Sequence, residues 1–332
     1  MAPRYQLRDS FGRKIDNIRI SVTDRCNFRC RYCMPEEGMT WLGHAEILTY
    51  EEIARVVRIL VSMGVRKVRL TGGEPLMRKE LPGLVERLHA ISGLEDIALT
   101  TNGYFLAEQA ESLARAGLRR INVSLDSLDP ATFEAMARRN HLDRVLAGIE
   151  TALACGIGPV KLNVVLIRGI NDGEIGGFAA LARTRPFVVR FIEFMPIGSG
   201  DGWSNDRVVT TGEVLSTLER LGYETVPLGE NGTHPAERYR FADGKGEIGF
   251  ISSVSHPFCA SCNRIRLTSD GKLRTCLFSL GETDIKGPLR AGAGDDDIRA
   301  IVEAAVATKE AGHLINQPDF VRPGRTMSSI GG

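Results

Sequence analysis

Six of the seven cysteines in this 332-residue chain fall into two groups of three. The first triplet has the spacing C-x3-C-x2-C and comprises Cys26, Cys30 and Cys33. The second triplet has the spacing C-x2-C-x13-C and comprises Cys259, Cys262 and Cys276. Three thiolates can hold a 4Fe–4S cluster and leave one iron open to another ligand, whereas structural zinc usually takes four protein ligands. Two triplets therefore favour two iron–sulfur clusters with open sites.

Each triplet also has a simpler interpretation. The first has the spacing of one helical face, so its cysteines could be small core residues, although Arg25, Arg29 and Arg31 argue against an apolar face. The second has His256 close by in sequence, and this histidine could complete a four-ligand zinc site. Spacing alone leaves both alternatives open.

Composition limits the classes of function. The 42 basic and 41 acidic side chains give a net charge of +1, which offers no general case for binding nucleic acid or a membrane. No apolar run approaches the length of a transmembrane span, and the first residues lack the apolar core of a signal peptide. We therefore expect a cytoplasmic protein with reduced cysteines, in which Cys155 is a packed structural thiol.

Short β-type runs alternate with helical stretches through the first two-thirds of the chain. The predicted strands cover residues 18–22, 67–71, 97–101, 121–125, 160–166 and 188–194. Residues 49–64 predict a helix that Thr49 caps, with the acidic Glu51 and Glu52 in its first turn. The alternation predicts parallel βαβ units. Because no GxGxxG motif follows the first strand, an α/β barrel is favoured over a dinucleotide-binding sheet.

The regular pattern is lost after about residue 225. We therefore predict a barrel core at residues 1–225 and a C-terminal region at residues 226–332 that carries the second triplet and closes the barrel mouth. The predicted strands end in small and polar residues, as in TGGEP (71–75), TTNG (100–103) and SLDS (124–127). Since barrel enzymes carry their sites at the C-terminal ends of the strands, we expect the site there.

Several cations are predicted to point into the barrel. Strand residues alternate between two faces, and the apolar face must pack against the outer helices. This alternation places Arg19, Arg69 and Lys161 inside, and Arg190 with them. Unpaired buried cations are costly, so an anion such as a polyphosphate is expected among them. The alternative is that they lie at the strand mouths, exposed to water.

The spacing C-x3-C-x-Y-C of the first triplet, followed by GGEP, resembles the radical S-adenosylmethionine superfamily. RLTGGEPLMR, NVSLDSLD, CASCNRIRLTSDGKLRTCLF and the terminal SIGG resemble the members of that superfamily that begin molybdenum cofactor biosynthesis. The resemblance covers almost the whole chain, although Asn17 stands where an aromatic residue is more usual. It implies an incomplete (β/α) barrel that binds S-adenosylmethionine and two 4Fe–4S clusters.

The resemblance also implies an enzyme that cyclises GTP by radical chemistry, with the second cluster holding the guanine edge. It implies S-adenosylmethionine contacts at Tyr32, Gly73, Ser124 and Met195, and Glu74 is expected to receive the ammonium of that cofactor. The implied substrate-binding residues are Arg19, Arg69, Thr100, Lys161, Arg190, Arg264, Ile265 and Arg266. The implied catalytic residues are Arg264, Arg266, Gly331 and Gly332, because a Gly-Gly end can enter a narrow pocket.

The same resemblance implies partners. These are an electron donor such as flavodoxin or ferredoxin, the downstream cyclic pyranopterin monophosphate synthase, and a second copy of the chain in a homodimer. Arg322 and Arg325 place charge where the tail could meet an anion. Two other functions stay open: a peptide-modifying radical enzyme, and a zinc-stabilised nucleic-acid-binding protein. The near-neutral charge and the lack of interleaved basic and aromatic residues count against nucleic acid.

Overall fold

The computed structural model describes residues 5–197, 202–229 and 232–331. One sheet of twelve strands runs through them. The strands are β1 (Asn17–Ser21), β2 (Lys67–Thr71), β3 (Asp96–Thr101), β4 (Arg120–Ser124), β5 (Val160–Leu166), β6 (Phe187–Glu193), β7 (Thr225–Pro227), β8 (Glu237–Phe241), β9 (Glu247–Ile251), β10 (Arg264–Leu267), β11 (Lys272–Arg274) and β12 (Thr283–Asp284). The six strands predicted from sequence are confirmed, with each boundary within one residue.

The middle of the sheet is parallel. Its order is β12-β11-β10-β1-β2-β3-β4-β5-β6-β9-β8-β7, and all pairs from β10 through β9 are parallel. Antiparallel strands flank it, with β11 and β12 beyond β10, and β8 and β7 beyond β9. Within the described ranges no pairing joins β12 to β7. The predicted incomplete barrel is therefore confirmed.

Ten α-helices occur in the described part of the chain. They are α1 (Tyr50–Ser62), α2 (Leu81–His89), α3 (Leu106–Arg115), α4 (Pro130–Ala137), α5 (Leu142–Ala154), α6 (Ile175–Thr184), α7 (Thr211–Arg220), α8 (Lys286–Arg290), α9 (Asp295–Ala307) and α10 (Met327–Ile330). The start of α1 follows its sequence, because Thr49 Oγ1 accepts from Glu52 N while the Glu52 carboxylate accepts from Thr49 N. None of these helices is long and apolar enough to cross a bilayer.

The strands separate an apolar face from a polar one. In β5, Val160, Leu162 and Val164 are fully buried in the main hydrophobic core, while Lys161 and Asn163 between them are only partly buried. In β1, Ile18 and Ile20 belong to that core and Arg19 alternates with them. The helices therefore cover the apolar face, and the polar face lines the inside of the barrel.

Residues after 225 extend the parallel sheet on both sides. The strand β9 pairs with β6, and β10 pairs with β1 on the opposite side. Cys259 and Cys262 precede β10, and Cys276 follows β11, so this extension carries the second triplet to the barrel interior. The sequence pattern did not reveal β9 and β10, because the regular alternation of strands and helices is lost in this part of the chain. The division at residue 225 stays a prediction.

Candidate active site

One cavity inside the barrel brings the two triplets together, with the first triplet beyond the C-terminal end of β1 and the second triplet at the N-terminal end of β10. Its lining includes all six triplet cysteines and the predicted site residues Arg19, Tyr32, Arg69, Gly73, Thr100, Ser124, Arg190, Met195, Arg264 and Arg266. Lys161, Ile265 and Gly331 are not among its lining residues. Gly332 lies outside the described residues. Most of the residues singled out from the sequence therefore share one site.

The first triplet lies on a loop rather than a helix. Residues 26–33 contain no helical residue, so the interpretation of these cysteines as one face of a core helix is wrong. Backbone bonds from Arg29 N to Ala137 O (3.1 Å) and from Arg31 N to Met136 O (3.0 Å) fix the loop on the end of α4. The Arg29 guanidinium lies over the Trp41 ring and donates to Cys26 O. The loop thus turns its thiols to the cavity and its arginines away from the core.

Burial suppresses ionisation of these thiols. It raises the pKa of Cys26 and of Cys33 to about 12, and holds the pKa of Cys30 well above the ordinary value. A bound metal cluster supplies the positive charge that favours thiolates in such a place. Three thiols without a fourth protein ligand in the described part of the chain fit a cluster with one open iron.

A buried carboxyl group orients Tyr32. Tyr32 OH donates to Asp126 Oδ2 at 2.7 Å, and Val165 N donates to Asp126 Oδ1 at 2.9 Å. Burial raises the pKa of Asp126 to about 6. Asp126 also lines the cavity, yet sequence reasoning did not assign it to the site. Its signal was the polar SLDS segment at the end of β4.

The GGEP segment lies against the chain just before the first triplet. Gly73 N donates to Thr23 O and Glu74 N to Arg25 O, both at 2.7 Å. A Cβ on Gly73 would collide with the backbone oxygens of Asp24 and Arg25. Glycine is therefore required by this close approach.

Glu74 is not placed as expected. Its side chain is fully buried and does not line the cavity. Its carboxylate accepts from Leu76 N, Thr101 Oγ1 and Asn102 N. Since both oxygens are already bonded inside the protein, Glu74 holds the TTN segment in place and does not face an ammonium in the cavity.

A row of arginines crosses the cavity wall. Burial, followed by repulsion from neighbouring arginines, lowers the pKa of Arg69 to about 10 and those of Arg190 and Arg266 to about 9. The pKa of Arg19 is held well below its ordinary value for the same reasons. None of the four forms an ion pair with a described carboxylate. Buried Asn163 Oδ1 and Arg190 Nε also lack a described partner. This arrangement fits a polyanionic ligand with polar groups.

Two predicted substrate residues stand apart from this wall. Burial, followed by Arg190, Arg120 and Arg69, lowers the pKa of Lys161 to about 8, so Lys161 belongs to the same cationic group although it does not line the cavity. Ile265 is fully buried in the main hydrophobic core. Its side chain points away from the face that Arg264 and Arg266 share.

The second triplet lies among positive charges. Burial tends to raise the pKa of Cys262, but Arg264 and Lys309 outweigh this effect and lower the value to about 7. His256 does not line the cavity, and its Nδ1 is 3.2 Å from Ser255 Oγ. Among the described residues, no three His, Cys, Asp or Glu side chains converge on a single metal ion. The geometry therefore does not support the predicted zinc alternative with His256.

The C-terminal segment reaches the cavity near the C-terminal ends of β1 and β2. Met327 and Ser328 line the cavity, and Arg266 Nη1 donates to Gly331 O. Gly331 has φ +83°, and a Cβ there would lie 2.9 Å from Thr71 Cγ2 and 3.0 Å from Ser21 Cβ. The segment thus needs glycine both for its conformation and for its space.

The two tail arginines have protein partners. Arg325 forms ion pairs with Asp270 and Glu282, both at 2.8 Å. Arg322 lies over the Trp203 ring and donates to Trp203 O. The anions that Arg325 meets are therefore carboxylates of the protein itself, and these contacts anchor the tail.

Similarity to known proteins agrees with this geometry. Residues 20–182 match the Radical SAM superfamily, and residues 187–315 match the family Molybdenum Cofactor Synthesis C. The chain is 49% identical to the GTP 3′,8-cyclase of Moorella thermoacetica over 327 residues, which cover 98% of this chain and 100% of that protein. It is 46% identical to the GTP 3′,8-cyclase of Streptomyces coelicolor, over 99% of this chain and 97% of that protein.

Solved structures of more distant proteins share the fold. Streptococcus suis SuiB bound to S-adenosylmethionine matches with a TM-score of 0.62 at 13% identity, over 93% of this chain and 76% of that one. Native anSMEcpe with bound AdoMet matches with a TM-score of 0.60 at 13% identity, over 90% and 82%. From the close relatives over the full length and the two matched regions, we conclude that the chain belongs to the GTP 3′,8-cyclase family of radical S-adenosylmethionine enzymes.

Proposed function

We propose that this enzyme cyclises GTP to (8S)-3′,8-cyclo-7,8-dihydroguanosine 5′-triphosphate, the first step of molybdenum cofactor biosynthesis. The observation that carries the proposal is the cavity that both thiol triplets share with a row of arginines that form no ion pair among the described residues, of which Arg190 and Arg266 are buried and Arg19 and Arg69 are partly buried. Close relatives named GTP 3′,8-cyclase over the full length support the same activity. The runner-up functions, peptide modification and zinc-dependent nucleic-acid binding, have no comparable support.

The first triplet holds the cluster that binds S-adenosylmethionine. Tyr32, Gly73, Ser124 and Met195 flank this position on the cavity wall. When bound, the cofactors supply a carbon radical strong enough to take hydrogen from the ribose C3′ of GTP. Asp126 fixes the direction of the Tyr32 ring through its hydrogen bond, and Gly73 lets the GGEP segment lie against the backbone of Asp24 and Arg25.

The cations position GTP. Arg19, Arg69 and Arg190 receive the triphosphate, and Lys161 adds charge from beside them. Thr100, Ile265 (through its backbone), Arg264 and Arg266 complete the substrate contacts. The second triplet would hold the other cluster, which would recognise the guanine edge. Because C3′ and C8 belong to the same GTP molecule and must be held close together, the chain contributes orientation rather than a nucleophile.

Partners and compartment form the finer part of the proposal. The enzyme takes single electrons from a low-potential protein such as flavodoxin or ferredoxin and passes its product to cyclic pyranopterin monophosphate synthase. It acts in the cytoplasm as a homodimer.

The direct test is chemical analysis of protein purified without oxygen. We expect brown protein with about eight irons per chain, since two 4Fe–4S clusters are proposed. With GTP, S-adenosylmethionine and dithionite it should release 5′-deoxyadenosine and the cyclised nucleotide in equal amounts. Colourless protein with stoichiometric zinc, or iron-loaded protein that cleaves S-adenosylmethionine without changing GTP, would contradict the proposal.

A further inference from the structure

A group of charged residues outside the cavity hydrogen-bonds to the segments that carry the second triplet. We call Arg13, Lys309 and Glu310 the clamp. Neither motif spacing nor the proposed reaction assigns these residues a role. Each of them hydrogen-bonds to the chain close to a cysteine of the second triplet.

Lys309 ties two segments of the triplet together. Lys309 lies two residues after the end of α9, and the residue is only 3% exposed. Nζ donates to Arg264 O at 3.1 Å and also to Thr275 O. These carbonyls lie two residues after Cys262 and one residue before Cys276. One ammonium group therefore sets the distance between the segments that carry these two thiols.

Glu310 and Arg13 complete the clamp. The Glu310 carboxylate accepts from Thr275 Oγ1 at 3.0 Å and from Ser279 Oγ at 2.7 Å. Arg13 donates to Cys259 O at 2.8 Å and to Glu310 O at 2.6 Å, and it is itself fixed by Asp9. All three cysteines of the triplet are thus connected to one short segment of chain.

Lys309 and Glu310 differ in their exposure to solvent. Lys309 is buried and forms no ion pair with a described carboxylate, since its acceptors are neutral carbonyls. Glu310 belongs to the exposed residues. A buried cation without a counter-ion is costly unless negative charge lies nearby. A cluster held by three thiolates supplies such charge, and one-electron reduction increases it.

We propose that Lys309 is a positioning residue that holds Cys262 and Cys276 at cluster spacing and whose positive charge raises the reduction potential of the second cluster. Glu310 acts with the opposite sign and less strongly, because solvent screens it. The inference rests on the proposed function, in which the second triplet holds a cluster. Through Arg264 O, the same ammonium also fixes the start of β10, where the substrate-binding arginines lie.

The test uses full-length protein in which Cys26, Cys30 and Cys33 are replaced by Ala, so that only the second cluster is present. A redox titration followed by electron paramagnetic resonance then reports one potential. At the poise that half-reduces the parent protein, we expect Lys309→Met to lower the ratio of reduced to oxidised cluster about tenfold, or about 59 mV for one electron. Lys309→Arg should stay near the parent, and exposed Lys245→Met serves as a control without effect.

Glu310→Gln should shift the ratio in the opposite direction and by less. Opposite shifts cannot come from a general loss of stability. If Lys309→Met fails to assemble a cluster, the proposal requires Lys309→Arg to assemble it and Glu310→Gln to raise its potential. Unchanged potentials in the Lys309 and Glu310 variants, or shifts of the same sign, would overturn the inference. A parent protein that binds no iron at the second triplet would instead contradict the proposed function.

Discussion

Arg19 of β1 and Arg266 of β10 are register partners in neighbouring parallel strands, and Arg69 of β2 is the partner of Arg19 on its other side. Three guanidinium groups therefore lie side by side across the sheet. Burial, followed by repulsion from nearby arginines such as Arg264, lowers the pKa of each. A row of this kind weakens the folded state until an anion binds, so affinity for a triphosphate is gained at the expense of stability.

The first prediction separates stability from binding at Arg19. Arg19→Met should raise the thermal midpoint of the GTP-free protein by about 2–4 °C, or roughly 1 kcal/mol in a mid-sized domain, because it removes a partly buried charge that has no ion pair among the described residues. The same variant should weaken GTP binding roughly 30-fold or more, since losing a buried charge partner costs about 2 kcal/mol or more. Thermal scans with and without GTP, together with calorimetric titration, measure both effects.

Arg13→Met is the matched contrast for this prediction. Arg13 is also a largely buried arginine, but it pairs with the buried Asp9 carboxylate. Its loss should lower the thermal midpoint. If Arg19→Met lowered the midpoint as much as Arg13→Met does, the row would not be a source of strain.

The second prediction concerns pH. The pKa of Lys161 is about 8, lowered by burial and then by Arg190, Arg120 and Arg69, and Glu247 opposes this only weakly. A bound triphosphate should raise this pKa, so GTP binding takes up a proton above pH 8. Affinity should therefore fall as the pH rises above about 8. Lys161→Arg, which stays charged, should flatten this profile, and titrations in buffers of different ionisation enthalpy should show the proton uptake.

Unfolding should follow the same linkage. The lowered pKa means that the unfolded chain binds more protons than the folded one between pH 8 and the ordinary lysine value, so this group makes the folded state more stable as the pH rises.

Lys161→Ala should also weaken the binding of GTP far more than that of guanosine, which lacks the phosphates. Equal weakening of both ligands would place Lys161 away from the triphosphate.

The third prediction tests the tail at Gly331. Gly331→Ala should lose most cyclisation while both clusters and folding are retained, because its Cβ would meet Thr71 and Ser21 and its positive φ disfavours a side chain. Cleavage of S-adenosylmethionine without product should persist. A bulky residue added after Gly332 should act in the same way.

Gly324→Ala is the control for this third prediction, because nothing lies within 4 Å of a Cβ at that glycine. It should cyclise GTP like the parent. Normal turnover in Gly331→Ala would show that the tail is not needed close to the strands.

The fourth prediction divides the work between the two triplets. Cys30→Ala should abolish cleavage of S-adenosylmethionine, whereas Cys262→Ala should impair GTP binding and cyclisation more than cleavage. Cys155→Ala should leave both intact, because Cys155 lies beside the main core and away from the cavity lining. Equal loss of cleavage in Cys30→Ala and Cys262→Ala, with both proteins folded and iron-loaded at the other triplet, would refute this division.

The sequence pattern was sufficient to predict features that depend only on neighbouring residues of the same strand. Two-residue alternation correctly turned Arg19, Arg69 and Arg190 inward, because apolar neighbours on each strand had to meet the helices. It could not show that β10 lies beside β1, since that pairing joins distant parts of the chain and depends on the whole sheet. In the same way, the sequence alone shows Lys309 only as a charged residue near the end of a helix. The fold shows that its ammonium group donates to two backbone carbonyls.

The position of β9 and β10 has a consequence for the newly made chain. While a ribosome synthesises this protein, β1 through β6 emerge before the two strands that border them. Both outer strands of the nascent sheet then expose unpaired backbone groups, which invites association with other chains. Once residues 247–267 have been made, β9 can pair with β6 and β10 can pair with β1, so both edges are covered. This part of the chain therefore protects the nascent sheet from other chains, as an intramolecular chaperone does.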